Sequence, residues 1–278
     1  MSDRPSRGLN ILVTGANGFV GANLVRRLLA DGHSVTATVR PGSDQWRLDG
    51  VSDDVAFAAV DLRDPDDVAA TVRDARPDWV MHLAAHGAYS WQTDVQAMAD
   101  VNVKCTAAIL EQLRVFGGGT LIHAGSSSEY GLKDHPPVEN EAIDPNSPYA
   151  VTKAAATHLC RHVARTTDVD AVTLRLYSVY GPWEEPNRLM PALVEHCLRG
   201  ELPPLVDPST ARDFVYADDV CDAFVRSAES AAELSGAVFN VGSGTQTRLD
   251  ELVALARERF GVECKPAWGS ICLLYTSD

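Results

Sequence analysis

Tyr149 and Lys153 stand four residues apart in Tyr149-Ala150-Val151-Thr152-Lys153. On a helix that spacing places both side chains on one face, so a phenol and an ammonium can point into the same site. The ammonium stabilises phenolate over phenol and brings its ionisation toward neutral pH, which makes Tyr149 an acid or base for a carbonyl/alcohol pair. Further hydroxyls come from Ala124-Gly125-Ser126-Ser127-Ser128-Glu129-Tyr130-Gly131, directly after an apolar run. Small hydroxyl residues at the C-terminal end of a parallel strand face the crevice where ligands bind. A serine there can polarise the oxygen that Tyr149 protonates.

Near the N-terminus, Thr14-Gly15-Ala16-Asn17-Gly18-Phe19-Val20-Gly21 joins an apolar run to a helical pattern. The spacing Gly15, Gly18, Gly21 is a variant of the dinucleotide fingerprint. The first glycine permits a tight turn, the second lets a pyrophosphate approach the backbone, and the third lets helix and strand pack closely. The helix that opens at Phe19 turns its N-terminus to the anion. An acid at the end of the second strand would bind the ribose 2′-hydroxyl of NAD; Val39-Arg40-Pro41-Gly42 stands there instead. Arg40 suits a 2′-phosphate, so the expected cofactor is NADP, with NAD the alternative. Asp61-Leu62, after the third strand, offers a carboxylate to the adenine amino group.

These groups need a scaffold, and the hydrophobic pattern supplies one. Strands are expected at 9–14, 34–39, 55–60, 79–83, 120–124 and 171–176. Helices are expected at 19–30, 64–75 (Asp64 capping, Pro65 first), 95–116 and 148–166. Continuous apolar strands alternating with helices mean a parallel sheet covered on both faces. With right-handed crossovers the expected fold is α/β, a doubly wound parallel (Rossmann) sheet. Residues 1–176 read as the dinucleotide-binding domain, with later returns near 211–243. Residues 177–268 read mainly as a smaller C-terminal substrate lobe. The tail at 269–278 reads as non-native, and the substrate lobe as truncated.

With Tyr149, Lys153, the serine run and the glycine turn in this order, the chain resembles the extended short-chain dehydrogenase/reductase family. The likeness is to its nucleotide-sugar branch of epimerases, dehydratases and 4-ketoreductases. It extends through His82-Leu83-Ala84-Ala85, Asn102, Leu176-Tyr177-Ser178-Val179-Tyr180-Gly181-Pro182, Arg212-Asp213-Phe214-Val215-Tyr216 and Phe239-Asn240-Val241-Gly242. The resemblance implies that Ser126, Tyr149 and Lys153 are catalytic, with Ser127 the fallback hydroxyl on the substrate side. It implies that Lys153 also holds the nicotinamide ribose. Leu83, Ala84, Ala85, Tyr177, Ser178 and Val179 would lie beside the cofactor, and Arg212 and Arg188 would meet the substrate's diphosphate. It also implies a homodimer built on the 95–116 and 148–166 helices, where Ala154, Ala155 and Ala156 would permit close approach. The 4,6-dehydratases carry Asp-Glu after the catalytic hydroxyl, whereas this chain has Ser127-Ser128, which argues against dehydration. Arg40 and the Gly125–Gly131 segment favour NADPH-dependent reduction of a 4-keto sugar. An NAD-dependent 4-epimerase is the alternative, and a non-catalytic NADP-binding sensor ranks third because Tyr149 and Lys153 are retained.

Composition excludes other classes. The formal charge of −14 over 278 residues argues against a nucleic-acid surface. The six cysteines form no Cys-x-x-Cys pair and no Cys/His cluster has zinc spacing, so no metal is expected. His82, His86 and His123 are likewise too scattered for a metal triad. Trp46, Trp79 and Trp91 read as packing residues, Trp91 being the one placed to line a substrate mouth. No secretory signal or membrane-spanning run is read, so a cytoplasmic protein without membrane contact is expected.

Overall fold

The computed structural model describes residues 8–270. Strand β1 (Asn10–Thr14) leads through the glycine turn into helix α1 (Phe19–Ala30), followed by β2 (Ser34–Val39) and β3 (Val55–Ala59). Helix α2 (Pro65–Ala75) begins where the Asp64 carboxylate accepts from the Asp66 and Asp67 N–H groups. After β4 (Trp79–His82) comes a helix in three parts: α3 (Val95–Met98), a wide π turn (Ala99–Lys104) and α4 (Cys105–Val115). Strand β5 (Gly119–Ser126), helix α5 (Pro148–Thr166) and strand β6 (Val169–Leu176) follow. The remaining chain forms β7 (Ser178–Tyr180), α6 (Leu189–Leu198), β8 (Ala211–Tyr216), α7 (Ala217–Glu229), α8 (Ala231–Leu234), β9 (Val238–Val241), β10 (Gln246–Arg248) and α9 (Leu249–Phe260).

The large sheet is parallel, in the order β3-β2-β1-β4-β5-β6-β9. Side chains alternate between faces along a strand, and both faces here are apolar. Ile11 and Val13 pack with Val25, Leu28 and Phe224 under α1 and α7, whereas Leu12 packs with Val72, Ile109 and Leu113 under α2 and α4. Covered on both faces, the sheet is doubly wound. Strand order reverses between β1 and β4, and the crevice outside their C-terminal ends is where such sheets bind ligands.

The return expected near 211–243 is made by α7, which packs on the first face, and by β9, which pairs with β6. Strand β8 does not rejoin the large sheet; it lies between β7 and β10 in a second, three-stranded sheet. A separate apolar cluster of Leu193, Cys197, Leu205, Val206, Leu249 and Val253 underlies α6 and α9. The single helix expected over 95–116 is interrupted at the π turn, because the extra residue turns Asn102 inward, where it is fully buried. Of the expected tail, Gly269 and Ser270 are described: the Ser270 N–H donates to the Leu205 carbonyl at 3.0 Å. Residues 271–278 lie outside the described residues. Among the described residues no helix is long and apolar enough to cross a membrane.

Candidate active site

The glycine turn is shaped by the backbone it must pass. Gly15 has φ +69°, and a Cβ there would lie 2.7 Å from the Ala84 nitrogen. A Cβ on Gly21 would lie 2.1 Å from the Gly15 carbonyl oxygen, so helix and turn close on each other only if that position is bare. Gly18 caps α1 without a side chain, and the first turn carries no acid. The N–H groups at the start of α1 therefore meet a cleft lined by Gly15, Gly18 and Phe19. A turn pressed this tightly against neighbouring backbone, at a helix N-terminus with no side-chain cap, fits a dinucleotide pyrophosphate.

The proton-handling residues line the same cleft. Helix α5 starts at Ser147, whose hydroxyl accepts from the Ala150 N–H at 3.2 Å, with Pro148 in the first helical position. Tyr149 is half-buried and Lys153 almost wholly buried, and both line the cleft opposite the glycines. Burial lowers the Lys153 ammonium to about 8, against a smaller opposing effect of the Glu129 carboxylate. At the end of β5, Ser126, Ser127 and Ser128 all line the cleft. The Ser126 and Ser128 hydroxyls lie 2.7 Å apart.

This cleft, of about 280 Å³, joins a second compartment of about 370 Å³, and Tyr89, Ser178, Val179, Glu184, Glu185 and Arg188 line both. Arg212, on β8, lines the second compartment beside Phe214 and Leu249. Trp91 also lines it, exposed at its rim, and stacks on Tyr89 with ring centroids 4.5 Å apart. Leu83, Ala85, Tyr177, Ser178 and Val179 line the first compartment, while Ala84 is buried with its backbone against Gly15.

Three expected cofactor residues lie off this lining. Arg40 is exposed just past the end of β2. Asp61 accepts three bonds from the Arg63 guanidinium, which with the Arg63 N–H bring its carboxyl down to about 2. Leu62 packs toward the α2–α4 core. Among the described residues no group of His, Cys, Asp and Glu is arranged to hold a metal ion.

Sequence reasoning assigned no site role to three groups that shape the cleft. Asn102 accepts from the His86 N–H and donates to the His86 carbonyl and to Thr152, tying the loop after β4 to α5. Arg47, midway along the β2–β3 connection, donates to the Trp183 carbonyl at 2.8 Å and to Glu185 at 2.5 Å, holding the segment that lines both compartments. Glu129 and Arg175 form a buried pair at 2.9 Å beneath Ser126. A signal for this pair was present: Arg175 stands in a mostly apolar strand, and an arginine is rarely buried without a partner.

Comparison with known proteins places the chain among sugar-nucleotide enzymes. A family model described as the NAD dependent epimerase/dehydratase family matches residues 11–242. The UDP-glucose 4-epimerase of Mycolicibacterium smegmatis is 34% identical over 254 residues, covering 88% of this chain and 80% of that protein. The UDP-glucose 4-epimerase of Thermotoga maritima, solved with UDP-glucose, superposes with a TM-score of 0.83 at 27% identity, covering 94% of this chain and 85% of that one. The UDP-glucuronic acid 4-epimerase of Bacillus cereus, solved with UDP-glucuronic acid and NAD, gives a TM-score of 0.80 at 28% identity, covering 93% and 85%.

Proposed function

The chain belongs to the NAD-dependent epimerase/dehydratase family, and on that premise we propose that it is a nucleotide-sugar 4-epimerase that works with NAD. The observation that carries this reading is the continuity of the cleft. The glycine turn, the serines after β5, Tyr149 and Lys153 share one compartment, which opens past Tyr89 and Arg188 into a second. The relatives supply the choice among the family's chemistries, since those described above are 4-epimerases and one is bound to NAD.

The Gly15–Gly18–Gly21 turn and Lys153 would hold NAD in this cleft, where it would supply the hydride acceptor and donor for the sugar C4. Tyr149 takes the proton from the C4 hydroxyl and gives it back when the alcohol re-forms. Ser126 donates a hydrogen bond to the same oxygen, with Ser127 beside it. Lys153 stabilises the phenolate by its charge. The second compartment gives the 4-keto sugar room to present its other face while Arg188 and Arg212 hold the diphosphate. Ser127 and Ser128 supply no carboxylate for the proton abstraction that dehydration needs.

Reduction of a 4-keto sugar by NADPH is the second reading, and Arg40 is the observation that favours it. One experiment separates the two. The protein is incubated with NAD and UDP-glucose or UDP-glucuronic acid, and separately with NADPH and the corresponding 4-keto sugars. The epimerase reading expects the C4 epimer with no net change in cofactor. NADPH consumption matched by sugar reduction, with no epimer formed, would overturn it.

A further inference from the structure

Glu129 is fully buried, yet it directly follows the cleft-lining Ser128 and does no work in the mechanism above. Its Oε1 accepts from the Ser126 N–H at 2.9 Å and from the Thr157 hydroxyl at 3.0 Å; its Oε2 accepts from Arg175 Nε at 2.9 Å. Thr157 lies one turn beyond Lys153 on α5, so one carboxylate ties the backbone of the catalytic hydroxyl to the helix of the Tyr–Lys pair. The backbone leaves room for this arrangement. A Cβ on Gly125 would lie 2.8 Å from Glu129 Oε1 and 3.2 Å from Arg175 Cγ. The Arg175 guanidinium is fixed in turn over the Tyr130 ring, 4.4 Å from its centroid.

Lys153 is surrounded by groups that burial keeps uncharged. Cys105 of α4 and Cys160 of α5 are each pushed up to about 12. His82 of β4 is pushed down to about 3, and His123 of β5 falls well below its ordinary value. Tyr149 lies one turn before Lys153 on α5. Glu129 is the carboxylate among the groups acting on the ammonium, and it raises the proton affinity that burial depresses. The geometry agrees: Thr157, which donates to the same carboxylate, lies one turn from Lys153 on α5, so Glu129 sits against the side of the helix that carries Lys153.

We propose that Glu129 is a positioning residue for the acid–base step: it sets the Ser126 hydroxyl and keeps the Lys153 ammonium charged, with Arg175 as its anchored counter-ion. This rests on the reading of Tyr149 as the acid/base. Without the carboxylate, Lys153 gives up its proton at lower pH, and Tyr149 then ionises at higher pH.

The test compares Glu129→Gln with the wild type and with Tyr149→Phe. The double variant Glu129→Gln/Arg175→Met is added because it removes both buried charges and leaves no unpaired guanidinium. Ultraviolet difference titration follows phenolate formation, with the Tyr149 step assigned by its loss in Tyr149→Phe. The pH dependence of kcat/KM for UDP-glucose with NAD is measured in parallel. In both Glu129 variants the Tyr149 step and the ascending limb of the profile should move up by about one pH unit, with a loss of rate at neutral pH of about tenfold. NAD affinity should be unchanged. A titration and profile that superimpose on the wild type would overturn the proposal. So would failure of both variants to fold, which would assign Glu129 to stability alone. If Tyr149→Phe keeps its rate, the acid–base reading fails first, a result distinct from an unshifted Glu129 variant beside an inactive Tyr149→Phe.

Discussion

Lys153 carries opposite consequences for stability and for rate. Its folded value of about 8 lies below its ordinary 10.5. Between those values the unfolded chain binds the extra proton, so this site's contribution to stability rises with pH across the window and is least below about 8. Activity runs the other way, because deprotonation removes the field that stabilises the Tyr149 phenolate. We expect kcat at saturating substrate to fall as pH rises through about 8, with no loss of melting temperature from this group over the same range. Tyr149→Phe should lower kcat by about 10²–10⁴-fold. Its cofactor affinity should match the wild type in a fluorescence titration, because the pyrophosphate is held at the glycine turn. The pairing of Tyr149 with Lys153 was legible because it is local to one helix. A charge in a mostly apolar strand signalled that Arg175 needs a partner, but that the partner is Glu129, 46 positions away, was not legible.

At the scale of elements, the β1–α1 junction shows how local backbone geometry builds a ligand site. Gly15→Ala would place a side chain at φ +69° and drive its Cβ toward the Ala84 nitrogen. The left-handed conformation alone costs roughly 1–2 kcal/mol. The expected outcome is a lower melting temperature by calorimetry, together with a loss of NAD binding larger than that in any cleft variant outside the turn. Wild-type NAD affinity in Gly15→Ala would remove the turn from the cofactor site. The three-part helix behind this junction teaches a different lesson. Its apolar spacing reads as continuous, since one additional residue in a turn barely disturbs the pattern. The π turn becomes evident only when Asn102 is found bonded to both His86 and Thr152.

For the whole molecule, the exposed face of α5 bears on association. The expected dimer places α4 and α5 at the contact, but Ala154 and Ala156 are buried within the subunit and cannot serve it. The outward stripe of α5 runs instead through Val151, Ala155 and His158. Val151 is 51% exposed, and Val95 of α3, which packs against α5, is 53% exposed. Exposed apolar side chains on neighbouring helices suit a symmetric helical contact. Light scattering at micromolar concentration is expected to report a dimer, and Val151→Glu a monomer with intact cofactor binding. A wild-type monomer at that concentration would count against this face.

The sequence by itself determined the doubly wound sheet, the glycine turn and the Tyr149–Lys153 pair. Each depends on interactions within a few residues: strand and helix periods set by backbone sterics, and a turn that only glycine can take. Tertiary structure decided which later segments serve which sheet. Strand β9 completes the large sheet beside β6 while β8 stays in the small one. Packing also brought Tyr89, Arg47 and Glu185 to the cleft lining or behind it. The Tyr130 hydroxyl donates to Asn240, 110 positions away, which secures the β5 turn against β9. Contacts at such separations follow from how finished elements dock, and no local pattern of burial or spacing encodes which distant side chain will meet a given group.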